Sequence, residues 1–270
     1  MQSISRSRQA CCRRALALTT TLFALTGFGL IDPTYAQSKY DNVKITTTKL
    51  NGDLYMLQGA GGNIGVSVGD DGVLVVDTQH APLSEKIFAA IKAISDQPIR
   101  YVINTHWHHD HTSGNQNFAA RGATIVAHEN LRTRLMSKQT LKAWSMEFPA
   151  MPAQALPTIT YTDELTLHFN DNAVRIKHPP LAHTDGDSIV HFPKANVLHM
   201  GDTLATGRFP FIDRGAHGSL IGLIEAYEYA ISITDDQTQV IPGHGALTDR
   251  QHLKDALTMF KRSRAAVVPQ

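Results

Sequence analysis

Cysteine is almost absent from this chain of 270 residues: its two copies, Cys11 and Cys12, are adjacent and close to the N-terminus. From residue 13 onward there is no thiol, so that part forms no disulfide, offers no thiolate nucleophile and makes no zinc–thiolate bond. Any metal held there must be bound by nitrogen and oxygen. Charge is also sparse and balanced, with 18% charged residues and a formal net charge of +1. Four of the 25 basic residues (Arg6, Arg8, Arg13, Arg14) and one of the 24 acidic ones (Asp32) fall in residues 1–36, leaving 21 against 23. No basic arm or patch remains to attract nucleic acid or an anionic membrane.

The N-terminus is also short of apolar length. The stretch from Ala15 to about Ile31 is diluted by Thr19, Thr20, Thr21, Gly27 and Gly29, and it falls below the ~20 residues of a membrane span. Arginines, an apolar core and the small residue Ala36 before Gln37 form the pattern of an export signal. The pair Arg13-Arg14 leaves the twin-arginine route open. A retained membrane anchor is the competing reading. We therefore expect residues 1–36 to be a signal peptide and residues 37–270 to be the working domain, periplasmic or secreted. With 42% hydrophobic residues, that span suits one large globular domain or two closely packed halves.

Strand and helix signals alternate along it. Alternation predicts strands over Val43–Leu50 and Leu54–Gln58, and two apolar runs around Gly69-Asp70-Asp71-Gly72 predict a hairpin. Ile87, Ile91 and Ile94 recur at helical spacing, so a helix is expected over Leu83–Ile94. Strands near Arg100–Thr105 and Thr124–Ala127 flank a short helix over Gly114–Ala120. The pattern weakens from Leu131 to Pro157, which reads as a crossover. It resumes with four strands between Leu165 and Met200, a helix at Leu220–Ile231, a strand at Gln239–Ile241 and a helix over Arg250–Arg262. This is an α/β chain, expected to form two sheets with helices outside.

What the sequence has in abundance is histidine, 14 copies, and their positions sort them. His106-Trp107-His108-His109-Asp110-His111 follows directly on an apolar strand. His106 and His108 are two apart, so in extended backbone both point to one side and can grip one ion. Asp110 and His111 are adjacent, need a turn, and would then face a second centre. Three later residues also stand at strand ends beside glycine: His183 in His183-Thr-Asp-Gly-Asp187, Asp202 in Gly201-Asp202 and His244 in Gly243-His244-Gly245. Together they make the seven ligands that a dinuclear site needs. His109 is expected to face away and Trp107 to pack beneath the loop. His80, His128, His168, His178, His191, His199, His217 and His252 read as surface or hydrogen-bonded residues.

With these residues and this order, the chain resembles the metallo-β-lactamase superfamily over essentially all of residues 37–270. The resemblance implies a four-layer αβ/βα sandwich with the site at one edge between the sheets. It implies that His106, His108 and His183 hold one metal, that Asp110, His111 and His244 hold a second, and that Asp202 bridges them. The implied cofactor is two Zn2+ ions, with iron or manganese left open, holding a hydroxide between them. Asp110 would orient that hydroxide and later protonate the leaving group. Asp77 and Asn104 are candidates to support the ligands from behind, a core polar role being the equal alternative. His108 stands where the diiron electron-transfer branch usually has glutamate, which favours zinc. Many relatives that open β-lactams have cysteine, or a residue that does not bind zinc, where this chain has Asp202. The aspartate looks more like the lactonase, thioesterase and phosphodiesterase branches. Export fits small external substrates and argues against glutathione thioesters and transfer RNA. The expected activity is opening of a cyclic amide or ester, a β-lactam or a lactone. An esterase or thioesterase, or a non-catalytic periplasmic metal-binding protein, are the alternatives. The expected partner is a small molecule, with no nucleic acid and no stable membrane anchor. Arg208 is a candidate for holding a substrate carboxylate, and Gly59–Asn63 for a mobile flap or a plain turn. Phe209, Phe211 and Trp144 are expected in the core, with a pocket wall as the alternative.

Overall fold

The computed structural model describes residues 39–267; the expected signal peptide lies outside them. Its first sheet has seven strands: β1 (Thr46–Lys49), β2 (Leu54–Gln58), β3 (Ile64–Gly69), β4 (Gly72–Val76), β5 (Ile99–Ile103), β6 (Thr124–His128) and β9 (Ile159–Tyr161), in that spatial order. The first four run antiparallel as a meander, and β4, β5, β6 and β9 are parallel. The second sheet orders β10 (Glu164–Phe169), β11 (Asn172–Lys177), β12 (Ile189–Phe192), β13 (Val197–His199), β14 (Gln239–Ile241) and β15 (Thr248–Asp249).

Three apolar layers account for the stack. Leu74, Val76 and Ile103 from the first sheet meet Val174, Val190 and Val197 from the second. The outer face of the first sheet packs Val73, Val75 and Val102 on Ile87, Phe88 and Ile91 of helix α1 (Ser84–Lys92). The outer face of the second packs Leu198 and Val240 on Leu223, Tyr227, Leu253 and Phe260 of helices α5 (Leu220–Ser232) and α6 (Arg250–Val267). The order helix, sheet, sheet, helix is the four-layer sandwich expected. Central strands buried on both faces explain why β4 is an unbroken apolar run.

The weakly patterned segment is not bare crossover. It carries helix α4 (Glu129–Leu135), the small hairpin β7–β8 (Gln139–Leu141 and Met146–Phe148) and then the edge strand β9. Strands of three residues are too short to show a period, which is why none was legible. Among the described residues no helix is long and apolar enough to cross a membrane.

Candidate metal centre

The ends of both sheets deliver side chains to one edge. Asp77 follows β4. His106 and His108 lie in the loop after β5, and Asp110 and His111 begin the single-turn helix α2 (His109–Thr112). His183 precedes β12, Asp202 follows β13 and His244 follows β14. The structure brings all seven ligand candidates together. His106, His108, His183 and Asp202 form one group and Asp110, His111 and His244 another, with donor atoms in each group within 4.8 Å of one another. Asp202 touches both. Its Oδ1 is 3.1 Å from His111 Nε2, while its Oδ2 is 3.3 Å from His244 Nε2, 3.9 Å from His183 Nε2 and 4.0 Å from His106 Nε2.

The hydrogen bonds behind the rings settle which nitrogens face inward. His183 Nδ1–H donates to the Phe211 carbonyl at 2.6 Å, and His108 Nε2–H to Asp213 Oδ2 at 3.1 Å. The Thr105 hydroxyl gives its hydrogen to Asp77 Oδ2 at 2.7 Å, so it accepts from His106 Nδ1–H at 3.0 Å. His111 Nδ1–H donates to Asp77 Oδ2 at 2.7 Å. Each ring therefore turns its other nitrogen inward: Nδ1 for His108 and Nε2 for the other three. His108 Nδ1 and His183 Nε2 lie 3.0 Å apart, and His111 Nε2 lies 3.3 Å from His244 Nε2. Lone pairs this close repel unless a cation or a proton sits between them. The buried His106 Nε2 has no hydrogen-bond partner at all. An all-nitrogen and oxygen donor set of this kind fits divalent zinc.

Backbone at the edge is shaped for close approach. A Cβ on Gly62 would lie 2.0 Å from His111 Cε1, and one on Gly243 would lie 2.0 Å from Asp202 Oδ1. Only glycine lets these loops press against the ligands. Gly62 is itself tied down, its N–H donating to the Asp110 carbonyl at 3.1 Å and its carbonyl accepting from Gln79 Nε2 at 2.6 Å. These bonds match the plain turn rather than a flap.

Electrostatics divides the histidines. Burial, helped by neighbouring rings, holds His106 well below the usual imidazole range and brings His183 down to about 4. Burial also opposes charge on His111 and His244. There the carboxylates of Asp202 and Asp110 win, lifting His111 well above its ordinary value and His244 to about 9. Asp110 and Asp202 are in turn held below the carboxylate range by His111 and His244, against the effect of burial. Protons thus balance the carboxylates when metal does not. Binding zinc at pH 7 must displace them, because ligating nitrogens have to be bare. His106 and His183 are already neutral there and contribute none. We expect about two protons released from His111 and His244, read by calorimetric zinc titration in buffers of different ionisation enthalpy. No buffer dependence would contradict this assignment.

The remaining expectations sort as follows. Asp77 is fully buried and bonds His111 directly. Asn104 instead pairs reciprocally with Asn115, at 3.0 and 2.8 Å, so its hydrogen bonds match the core polar alternative. His109 points away from the cluster and stacks on Phe148 at 5.2 Å between centroids. Trp107 is buried among Ala127, Leu131 and Leu135. His199 is buried, its ring bonded to the Asn63 carbonyl and the Gly201 N–H. Asp213, Thr105 and the Phe211 carbonyl were not foreseen as supports. Asp213 alone carried a local signal, an aspartate before Arg-Gly whose carboxylate accepts the Gly215 and Ala216 amides. The cluster opens on a cavity of about 780 Å³ whose lining includes Arg208, Trp144, Phe209 and Phe211. Arg208 is exposed at that wall. Trp144 and Phe209 are 55% and 50% exposed, which corrects the expectation that they pack in the core.

A family model described as Metallo-beta-lactamase superfamily matches residues 57–258. Solved structures with this fold include the DIM-1 metallo-beta-lactamase (TM-score 0.64, 19% identity, 82% of this chain and 100% of that one). A metallo-beta-lactamase from Pontibacter korlensis gives TM-score 0.65 at 18% identity, covering 81% of this chain and 99% of that one. At these identities the likeness concerns the fold alone. A sequence relative is the 2,4-dinitroanisole O-demethylase subunit alpha of Nocardioides sp. (strain JS1661), 30% identical over 142 residues. That match spans 52% of this chain and 40% of the relative's length.

Proposed function

The chain belongs to the metallo-β-lactamase superfamily, and from that premise we propose that it is an exported dinuclear zinc hydrolase opening a cyclic amide or ester. The observation that carries the reading is the set of four inward ring nitrogens, on His106, His108, His183 and His111, converging beside Asp110, Asp202 and His244. His106, His108 and His183 would hold one ion, Asp110, His111 and His244 the other, and Asp202 both. Two zinc ions there would activate a water and polarise the scissile carbonyl.

The chain's own groups do the rest. Asp77 and Asp213 fix ring orientation and keep the outer nitrogens protonated, as such partners do for metal-binding imidazoles. Asp110 is half-buried and lines the cavity, its Oδ2 3.2 Å from His244 Nε2. It can take a proton from the attacking water and return it to the leaving atom. Arg208, the only Lys or Arg side chain among the described lining residues, would pair with a carboxylate on the substrate. Export rests on the arginine-led apolar segment before Gln37. The absence of cysteine after residue 12 and the aspartate at 202 favour esters and lactones over β-lactams.

The test is a substrate panel on the purified chain: a chromogenic cephalosporin, a lactone and simple esters, each with zinc and with chelator. Zinc-dependent turnover of at least one is expected; none, in protein holding two zincs, would sink the hydrolase reading. The segment shared with the dinitroanisole demethylase subunit favours a second reading, cleavage of an activated aryl methyl ether. Release of dinitrophenol from 2,4-dinitroanisole would select it.

A further inference from the structure

Three of the large apolar side chains that stand exposed adjoin one cavity. Trp144, Met146 and Phe209 are 55%, 49% and 50% exposed and all line the space in front of the metal cluster. Exposed apolar groups gathered at a polar site mark a surface that something apolar covers. Their arrangement is directional. Phe211 lies 5.9 Å from the His183 ring and 6.3 Å from the His108 ring, and Trp144 lies 4.4 Å from Phe211, tilted by 58°. The rings form a path from the ligand histidines out to the β7–β8 hairpin. Phe211 is anchored by its own carbonyl, which holds His183 Nδ1 at 2.6 Å. Trp144 sits in the short turn between the hairpin strands, beside Ser145 in the left-handed region at φ 52°.

Resting on the hydrolase reading, we infer that the group flanking the scissile bond is a flat aromatic ring packed against the Trp144–Phe211 pair. Trp144 and Phe211 are then specificity-determining residues. Tilted and edge-on ring contacts are the geometry that aromatic quadrupoles favour, and a third ring extends the same pattern. A flexible alkyl chain would gain area but not this match, and it would lose rotamer freedom. The pair itself carries no charge, so it asks for no charged group at that end of the substrate. The ionic partner available is Arg208, elsewhere on the cavity wall.

The experiment compares phenylacetyl and hexanoyl esters of one alcohol, using the zinc-loaded chain and its Trp144→Ala and Trp144→Phe variants. The ratio of kcat/KM for the aryl over the alkyl ester should fall about tenfold in Trp144→Ala. The loss should lie mainly in KM, and Trp144→Phe should recover most of the ratio. An unchanged ratio would overturn the inference. A second arm needs no turnover. The chain has two tryptophans, the buried Trp107 and the exposed Trp144, so phenylacetate binding should give a saturable emission change that Trp144→Phe removes. Cyclohexylacetate binding equally well would refute an aromatic site. If neither these esters nor the cephalosporin and lactone of the panel are hydrolysed while the fluorescence change holds, the hydrolase reading fails and the aromatic wall stands.

Discussion

Replacing Asp202 by asparagine is expected to lower kcat/KM by about a thousandfold and to cost the chain one of its metals. Asp202 reaches both donor groups, with Oδ1 at 3.1 Å from His111 Nε2 and Oδ2 at 3.9 Å from His183 Nε2. Its carboxylate offers two acceptor oxygens and a full negative charge. An asparagine keeps the shape but loses the charge and replaces one oxygen by an NH2 group that cannot bind a metal. The size of the loss follows from magnitudes. Removing a single preorganised polar group from a reacting centre already costs about 10² to 10³ in kcat, and here a metal's binding is impaired as well. Metals per chain and kcat/KM should be measured on the same sample, with circular dichroism to establish folding. A folded variant that keeps two metals and a tenth of the activity would show that Asp202 does not join the two centres.

Asp77→Ala should act on stability and on metal together. The side chain is fully buried and accepts three hydrogen bonds, from the Thr105 N–H, the Thr105 hydroxyl and His111 Nδ1–H, each 2.7 Å long. Alanine leaves those donors unpaired in the interior. Breaking such a buried network costs about 3–5 kcal/mol, which for a domain of this size lowers Tm by roughly 10 °C. Alanine is also disfavoured at the position's φ of 67°, a region that Asp and Asn tolerate better. Because Asp77 orients His111 directly and His106 through Thr105, zinc affinity should also fall about 10–100-fold. Asp77→Asn separates the effects. It keeps the left-handed backbone and the bond from the Thr105 N–H, so it should recover much of the Tm. It should recover less of the metal affinity, since its amide presents hydrogens to donors that need an acceptor. Equal zinc affinity in wild type and both variants would contradict the role of Asp77 behind the ligands.

How much of this was legible depended on whether a residue's role is local. His106, His108, Asp110 and His111 share one loop, so their spacing along the chain carries their spacing in space. Asp202 and His244 were legible because a strand end beside glycine is a local pattern that aims a side chain at the sheet edge. Asp77 ends a strand too, yet its bond to His111 spans 34 residues, and the core alternative stood equal until the fold joined them. Asp213 lies 105 residues from His108, and its local signal, an aspartate before Arg-Gly, marks a cap and not that meeting. The Phe211 carbonyl is beyond sequence reading altogether, since every residue has one. The apolar wall was misjudged for a related reason. Trp144 and Phe209 look like core residues by type, and only the fold shows that they are half exposed and line the cavity. Two sheets with helices outside were predictable because strands such as β4 stand out as apolar runs and helices such as α1 show their period, whereas the four-layer order came from the family resemblance and the three-residue strands β7, β8 and β9 show no period.

The central claim is that two adjoining donor sets each hold a zinc ion. The direct measurement is to titrate zinc into metal-free, purified chain while following bound metal and hydrolytic rate together. Two ions per chain, with the rate rising as both sites fill, is the predicted result. Saturation at a single ion with full activity, or no tight binding at all, would contradict it.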